Sequence, residues 1–305
     1  MLLRSLLILS ALALCAETAH AGTCSFDEAS GLLSVVNGGA LEVAAGGAIQ
    51  LNGVACGAAT TTTTARIVVS GVDGDNRESI TLRGIFAPGR NDVPETDTPE
   101  IEIEIRFTDL NDVVRVDGDA TSQIWQFTAG GINLNGDLDE DITLPPTGTV
   151  KLYGLGGNDV INASGYARVC ARNFPRACTL RLYGGAGADV LTGSQGGDVL
   201  IGNGGNDTFD GGAGHDLIRG GPGADTMKGG SGDDVFSGDD GDDVLYGGSG
   251  NDDLDGGAGV DEYHGNLGDD VFYNLDGVAE SVDCGEGIDD PEADALDTFI
   301  GCENI

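Results

Sequence analysis

The part of the chain from residue 184 to residue 273 places one apolar side chain at every ninth position. These side chains are Leu191, Leu200, Phe209, Ile218, Met227, Phe236, Leu245, Leu254, Tyr263 and Phe272. A three-residue strand with its middle side chain buried fits this pattern, and the valines and threonines that often precede that side chain favour a strand. Burial of one such side chain contributes about 1.5–3 kcal/mol, whereas ordering each residue costs about 1 kcal/mol. The pattern therefore predicts short strands that need a further source of stability.

Glycines and an aspartate recur in the same register. Glycines stand five and two residues before each aspartate, as Gly184 and Gly187 do before Asp189, so the unit reads G-x-x-G-x-D-x-U-x, where U is apolar. The aspartates are Asp189, Asp198, Asp207, Asp216, Asp225, Asp234, Asp243, Asp252, Asp261 and Asp270. Glycine adopts turn conformations that other residues avoid, so each unit is predicted to be a turn followed by a strand. Four of the nine positions keep their residue type through ten units, which excludes a chance pattern.

Residues 22–150 show an all-β pattern without the repeat. Ile101–Phe107 alternates strictly between apolar and charged residues, as in a strand with one buried face. Further predicted strands are Leu32–Val36, Arg66–Val69, Ser79–Leu82, Val113–Val116, Ile124–Phe127 and Val150–Leu152. The region is predicted to be either a separate β-sandwich or an irregular solenoid that leads into the repeats. The short spacing of the strands favours the solenoid.

The charge of the chain restricts its partners. Lys and Arg number 14 against 51 Asp and Glu, a net charge of −37. Such a balance argues against nucleic acid and anionic membrane surfaces as partners. No segment after the N-terminus holds 18 consecutive apolar residues, so we expect no membrane insertion. Residues 184–273 alone hold 19 acidic and two basic residues, a net charge of −17.

Carboxylates that follow glycine turns point to a cation. Turns expose backbone carbonyls, and carbonyl and carboxylate oxygens together form the hard ligand set that suits Ca²⁺ better than Zn²⁺ or copper. Mg²⁺ fits less well because it tends to keep its bound waters. The repeat aspartates are therefore candidate calcium ligands, and solvated turn residues are the alternative interpretation.

The units GGAGADVLT, GGPGADTMK and GGSGDDVFS resemble the RTX-type calcium-binding nonapeptide. The resemblance implies a parallel β-roll in which two units form one coil and Ca²⁺ lies between stacked turns. Aspartates 18 residues apart would then form two rows of five, one from Asp189 to Asp261 and the other from Asp198 to Asp270. Four gaps in each row leave room for up to about eight ions.

Some units depart from this consensus. Position 2 holds Ser194, Asn203, Asp239 and Asn266 in place of glycine. Upstream, LYGLGGNDVI resembles an isolated unit and adds Asp159 as a less regular candidate ligand. The segment between that unit and the repeats is predicted to be a loop closed by a Cys170–Cys178 disulfide. Three arginines in it, Arg168, Arg172 and Arg176, form either a solvated loop or a partner site.

The N-terminus and the cysteines indicate export. Residues 1–21 have the form of a signal peptide, with Arg4, an apolar core and the cleavage signal Ala19-His20-Ala21. A lipoprotein signal at Cys15 is a weaker reading, because Leu14 is bulky where a small residue is expected. Six cysteines remain after cleavage, which suggests disulfides in an oxidising compartment. Six cysteines allow 15 pairings, and the sequential pairing Cys24–Cys56, Cys170–Cys178 and Cys284–Cys302 is the simplest.

Catalytic motifs are missing from the sequence. It contains neither HExxH nor GxSxG, and its histidines are His20, His215 and His264. The last two occupy variable repeat positions, where a solvated role is expected. No lysine follows the glycine strings as a phosphate loop requires. We therefore expect a protein that is not an enzyme.

These observations combine into one prediction. The chain is predicted to be all-β, a parallel β-roll or β-solenoid with a β-rich N-terminal region and a disulfide-closed C-terminal cap. The predicted segments are the signal peptide 1–21, the N-terminal region 22–150, the first unit with its loop 151–183, the repeats 184–273 and the cap 274–305. The predicted function is calcium binding by a secreted protein that folds on binding calcium outside the cytoplasm. The alternative is an adhesion or matrix protein in which calcium stiffens a spacer and the N-terminal region binds a glycan or protein.

Overall fold

The computed structural model describes the strands between residues 23 and 143 and, after them, residues 149–166, 180–274, 277–293 and 296–302. Throughout these segments the regular element is the β-strand, and no helix is present. Among the same residues, none therefore forms a helix suited to crossing a membrane. The predicted signal peptide lies outside the described residues.

The fold comprises short strands along the whole described chain. The strands of the N-terminal region are β1 (Thr23–Asp27), β2 (Leu32–Val36), β3 (Gly39–Val43), β4 (Ala48–Leu51), β5 (Val54–Thr60), β6 (Arg66–Ser70), β7 (Ser79–Arg83), β8 (Glu102–Arg106), β9 (Val113–Asp117), β10 (Ile124–Phe127), β11 (Gly131–Asn133) and β12 (Ile142–Thr143). The later strands are β13 (Thr149–Gly156), β14 (Val160–Asn162), β15 (Leu180–Ala186), β16 (Val190–Thr192), β17 (Val199–Gly204), β18 (Thr208–Asp210), β19 (Gly212–Ala213), β20 (Leu217–Arg219), β21 (Thr226–Ser231), β22 (Val235–Ser237), β23 (Val244–Ser249), β24 (Asp253–Asp255), β25 (Glu262–Leu267), β26 (Val271–Asn274), β27 (Ser281–Asp283), β28 (Asp290–Ala293) and β29 (Thr298–Ile300).

Two sheets contain all of these strands. Sheet A has 16 strands in the order β1-β2-β6-β8-β12-β11-β10-β14-β16-β18-β21-β23-β25-β27-β29, with β19 beside β21. Sheet B has 13 strands in the order β28-β26-β24-β22-β20-β17-β15-β13-β9-β7-β3-β4-β5. From β13 onwards each strand pairs in parallel with the strand two units further along, as Leu191 of β16 does with Phe209 of β18. The predicted parallel β-roll is confirmed.

The core lies between the two sheets as a single line of side chains from each. The predicted apolar position of every repeat is buried, with at most 2% of any side chain exposed. Tyr263 and Phe272 meet edge to face, with ring centroids 6.1 Å apart. Because each unit buries one side chain, the stacking of units, rather than the packing of any one of them, builds a continuous core.

The strands of the N-terminal region belong to the same two sheets. Strand β9 pairs in parallel with β13, and β10 pairs in parallel with β14, so both sheets pass into the repeats without interruption. This result confirms the solenoid over a separate sandwich. The irregularity comes from antiparallel pairs such as β1 with β2 and β3 with β4, which the sequence pattern did not predict.

The unit around Asp159 is not isolated. It stacks directly on the first repeat coil, since Val150 pairs with Leu180 and Val160 pairs with Val190. The offset along this coil is 30 residues instead of 18, so the coil holds twelve more residues than the coils that follow it. The predicted Cys170–Cys178 disulfide and the cluster of three arginines lie in 167–179, outside the described residues.

Disulfides lie at both ends of the stack. Cys24 in β1 bonds to Cys56 in β5, and these are the edge strands of sheets A and B. Cys284 bonds to Cys302 beside the last strands of sheet A, as predicted for the C-terminal cap. The strands β27, β28 and β29 continue the parallel pairing, so the cap is itself made of further coils.

Candidate metal centre

The repeat aspartates form two rows, each on one side of the solenoid. Row A consists of the aspartates that immediately precede strands of sheet A: Asp159, Asp189, Asp207, Asp225, Asp243 and Asp261. Row B consists of those that precede strands of sheet B: Asp198, Asp216, Asp234, Asp252 and Asp270. All are buried, with at most 3% of any residue exposed. The two rows of 18-residue spacing that the resemblance implied are therefore present.

Each carboxylate is held by the coil before it. The backbone N–H of Asp189 donates to Oδ1 of Asp207 at 2.8 Å, and the N–H of Asp216 donates to Oδ1 of Asp234 at 2.7 Å. The same bond joins every consecutive pair within a row, at 2.7–2.9 Å. One oxygen of every carboxylate is thus fixed by the backbone, which sets the direction of the other.

The other oxygen, Oδ2, has no hydrogen-bond partner in eight of these residues although it is buried. The eight are Asp189, Asp207, Asp216, Asp225, Asp234, Asp243, Asp252 and Asp270. A buried carboxylate oxygen without a partner is costly unless a cation neutralises it. An array of eight such oxygens in register is the feature of this structure that most clearly indicates bound cations.

Backbone carbonyls lie close to these oxygens. Oδ2 of Asp207 lies against the Cα of Gly202, on the side where any other residue would carry its Cβ. A Cβ there would also come within 2.8 Å of the carbonyl oxygen of Gly220 in the next coil. The glycine at position 1 therefore leaves room for a carboxylate and a carbonyl at one place, which is the oxygen ligand set that Ca²⁺ prefers.

Side chains alone do not complete a metal site. Within the described segments, no three His, Cys, Asp or Glu side chains are grouped so that they could hold a metal ion. A cation between two turns would take its remaining ligands from the backbone or from water, as Ca²⁺ commonly does. The residues present therefore fit a hard cation bound by few carboxylates, and they do not fit a zinc site.

Burial raises the pKa of the row carboxyls. The pKa of Asp207 is raised to about 6, that of Asp225 to about 7 and that of Asp216 to about 8. Desolvation is the main cause in each case, and neighbouring carboxylates of the same row raise the pKa further. Without a cation, the ionised form of these carboxyls is therefore less favourable in the fold than in water, and of the three Asp216 is the one whose pKa lies above neutral pH.

The first turn of row B differs from the others. Oδ2 of Asp198 accepts hydrogen bonds from the backbone N–H of Ser194 at 2.6 Å and from its hydroxyl at 2.8 Å. Ser194 is one of the departures from the consensus, and it satisfies the oxygen that stays without a partner in the next four turns of row B. Desolvation still raises the pKa of Asp198 to about 6.

The other departures at position 2 keep the glycine-like backbone. Asn203, Asp239 and Asn266 have φ values of 77°, 75° and 74°, in the left-handed region. Asn and Asp enter this region more readily than most residues, so these three turns keep the shape of the others.

Both rows continue past the last predicted unit. The N–H of Asp261 donates to Oε1 of Glu280 at 3.4 Å, and the N–H of Asp270 donates to Oδ1 of Asp289 at 3.0 Å. Glu280 and Asp289 are 19 residues after their predecessors, so one inserted residue hid them from a search at a period of nine. The glycine, aspartate and apolar positions of CGEGIDD and ESVD were the available signal.

The histidines lie on the outside of the coils. The N–H of Asp233 donates to Nδ1 of His215 at 2.9 Å, and His264 stacks on Tyr246 with ring centroids 4.6 Å apart. Nε2 of His264 lies 2.8 Å from Oε1 of Glu262. Each histidine thus contacts its own or a neighbouring coil at a variable position of the repeat.

Comparison with known protein families agrees with this geometry. Residues 147–165, 183–218, 210–245, 219–254 and 237–272 match the RTX calcium-binding nonapeptide repeat. Together these segments cover the unit at Asp159 and the repeats that follow the loop. Neither the curated proteins nor the solved structures include a match to the chain.

Proposed function

Since the chain carries RTX calcium-binding nonapeptide repeats within residues 147–272, we propose that its aspartate rows bind Ca²⁺ between successive turns and that this binding folds the solenoid. The observation that supports the proposal is the array of eight buried Oδ2 atoms without hydrogen-bond partners. A divalent cation beside each of them would remove the cost of burying the charge.

The residues of the chain have distinct parts in this proposal. The backbone N–H of the preceding coil orients each carboxylate through Oδ1, and Oδ2 is left to bind the ion. Glycine at position 1 lets the carboxylate and a carbonyl approach the same place. The ion supplies the positive charge that a segment with 19 acidic and two basic residues needs in order to compact.

Charge balance supports about eight ions within the ten repeats. Five turns in a row leave four gaps, and eight ions would carry a charge of +16 against the −17 of residues 184–273. The gaps that involve Asp159, Glu280 and Asp289 are further candidates. The ligands that we propose within the repeats are the ten register aspartates, of which Asp198 is the one already bonded by a serine.

We further propose that the protein is exported before it folds. In a compartment poor in calcium the rows repel one another, and the chain stays unfolded. Outside the cytoplasm Ca²⁺ binds, and the binding energy becomes folding energy because the sites exist only in the stacked state. Calcium sites in extracellular modules have Kd values of about 10⁻⁴–10⁻³ M, and we expect this range here. We propose no catalytic role.

A calcium titration followed by far-UV circular dichroism tests the proposal. We expect the chelated protein to lose most of its β-signal at neutral pH and to regain it with Ca²⁺ at about 10⁻⁴–10⁻³ M, but not with Mg²⁺ at the same concentration. If the protein stripped by a chelator keeps its spectrum and its Tm, calcium does not fold the solenoid and the proposal is wrong.

A pair of matched variants tests which aspartates bind. Asp207 and Asp210 stand three residues apart in one unit, but Asp207 is buried in row A and Asp210 is exposed at the end of its strand. We expect Asp207→Asn to lower the number of ions bound, measured by calorimetry, and to raise the calcium midpoint. Asp210→Asn makes the same change of charge and should leave both unchanged. Equal effects of the two variants would contradict the assignment.

A further inference from the structure

The outer surface of sheet B carries an ordered sequence of charges. The strands concerned are those of sheet B from β13 to β28. On each of them, the residue before the core-facing side chain and the residue after it lie on the outer surface. The outward residues before it pair strand to strand in one line: Lys151, Arg181, Val199, Leu217, Val235, Asp253, Val271 and Asp290. The line begins with two basic residues, continues through three apolar residues and ends with two aspartates separated by Val271. We name this surface face B.

The second line of face B becomes acidic towards the same end but begins with tyrosines. The outward residues after the buried side chain are Tyr153, Tyr183, Ile201, Arg219, Ser237, Asp255, Tyr273 and Glu292. Tyr153 and Tyr183 stack with parallel rings at the basic end. The positive charge of Arg219 is already paired, since its Nε donates to Asp239 at 2.6 Å. Lys151 and Arg181 therefore dominate the charge at one end, and Asp253, Asp255, Asp290 and Glu292 dominate the other.

The centre of face B is apolar and open. Leu217 is 45% exposed and Val235 is 42% exposed. An apolar row on a flat sheet face is a usual site of protein association. At the basic end, within the described residues, neither Lys151 nor Arg181 forms an ion pair, and the buried Nε of Arg181 has no hydrogen-bond partner. This end of the face therefore lacks acidic partners.

Face B is complementary to itself. Arg181 lies two strands before Leu217, and Asp253 lies two strands after it, so the spacings are equal at about 10 Å each way. A twofold axis through Leu217 and parallel to the strands would place Arg181 of one copy opposite Asp253 of the other. The symmetry repeats this pair, so the dimer would contain two of them. Val199 would lie opposite Val235, and Lys151 would lie opposite Val271, with Asp253 and Asp290 on either side of it. Arg219, which shares a strand with Leu217, would face Arg219 of the other copy, and each of these arginines is already paired with its own Asp239.

We propose that face B binds a second copy of this chain in an antiparallel, twofold-symmetric dimer. A chain with a net charge of −37 repels its own copies, so association requires a surface where the charges match, and face B provides one. An acidic ligand would match the basic end alone and would leave the apolar centre uncovered. Eight strands of three residues span roughly 400 Å² per copy, or about 800 Å² in total, which lies at the weak, reversible end of interface sizes.

Sedimentation of the full chain in saturating calcium tests this proposal. We expect a monomer–dimer equilibrium with a Kd on the order of micromolar that weakens as salt is raised. Leu217→Asp should weaken dimerisation by about tenfold or more, since it places two carboxylates at the twofold axis. The control is Val190→Asp, which puts the same charge on the outer surface of sheet A, where Val190 is similarly exposed.

A charge exchange makes the test specific. Arg181→Asp alone and Asp253→Arg alone should each weaken the dimer, and the double variant should restore it to within about threefold of the unchanged protein. A dimer that is insensitive to Leu217→Asp, or a double variant that stays monomeric, would overturn the proposal. So would a chain that stays monomeric and instead binds a soluble polyuronate through Lys151 and Arg181. Circular dichroism on the same samples shows whether calcium has folded the solenoid, so failure to fold is distinguished from failure to pair.

Discussion

The turns of row A and row B place their aspartates in the same register, but they differ in the residue immediately before each aspartate. In row B the residues that precede the aspartates form an unbroken ladder from His215 onward: the N–H of Asp233 donates to His215, that of Asn251 to Asp233, that of Asp269 to Asn251 and that of Ile288 to Asp269. These bonds are 2.8–3.0 Å long and join consecutive coils at the outer edge of the turns.

The corresponding ladder in row A has a missing bond at every second step. Asn158, Asn206 and Asp242 each accept from the next coil, at 3.0, 3.2 and 2.9 Å. Ala188, Ala224 and Val260 fill the positions between them and offer no side-chain acceptor. In row B, hydrogen bonds that involve no ion thus join consecutive coils from His215 onward. In row A, such bonds join the coils only at every second step. If calcium folds the solenoid as proposed, this difference predicts that the row A side depends on the ion more than the row B side.

The largest effect that this difference predicts concerns chelation. When calcium is removed at neutral pH in steps, we expect the amide protons of row A turns to lose hydrogen-exchange protection at a higher free calcium concentration than those of row B. Hydrogen exchange followed by mass spectrometry on peptides of the two rows measures it. Simultaneous loss in both rows would show that the ladder contributes nothing to the order of unfolding.

Acid should replace calcium in part, and near Asp216 first, since its carboxyl has the highest pKa of the two rows at about 8. Folding raises the pKa of the row carboxyls, so between pH about 4 and pH about 8 the folded, calcium-free state binds more protons than the unfolded chain. The stability that this contributes is fully present below about pH 4 and is lost progressively as the pH rises from there through the folded-state pKa values of about 6 to 8.

In a titration of the chelated protein from pH 8 to pH 4, β-signal should therefore return, and protection near Asp216 should return at a higher pH than protection near Asp225. Calcium affinity, measured in parallel, should fall over the same range because protons compete for the ligands. A calcium-free protein whose β-signal is the same at pH 4 and pH 8 would contradict this prediction.

The first turn of row B offers a smaller test. Removing the hydroxyl with Ser194→Ala takes one of two hydrogen bonds from the buried Oδ2 of Asp198, and we expect a loss of about 1–2 kcal/mol in the free energy of unfolding. Urea unfolding in calcium measures it. Ser231→Ala, at an exposed serine in the turn before Asp234, serves as the matched control and should change stability little.

The smallest expected effect is a gain of stability in row A. Ala224→Asn would supply an acceptor for the N–H of Asp242 and fill one missing step of the ladder, adding about 1 kcal/mol. The melting temperature should rise, and the calcium concentration at the folding midpoint should fall. Ala213→Asn lies in a turn of row B, two positions before the ladder residue His215, and makes the same change of side chain without adding a step to the ladder. If the two variants behave alike, the ladder is not the cause.

Much of this arrangement was predictable from the sequence, because nine-residue periodicity fixes which residues face the core and which begin a turn. Leu32–Val36 and Ile124–Phe127 form strands with the predicted bounds. Glu280 and Asp289 were missed since a single inserted residue shifts the register by one, and a strict period does not tolerate it. The ladder was missed because it joins residues 18 apart through side chains at a variable position, and only the stacking brings Asn251 and Asp269 together.

The disulfides gain a further meaning from the one-dimensional nature of the stack. A column of coils that each touch only their neighbours melts most easily by fraying from its open ends. Cys24–Cys56 fastens the two terminal strands at the beginning, and Cys284–Cys302 fastens the last coils. With both ends crosslinked, loss of structure has to start in the interior of the column, where an opening must break contacts on both of its sides at once.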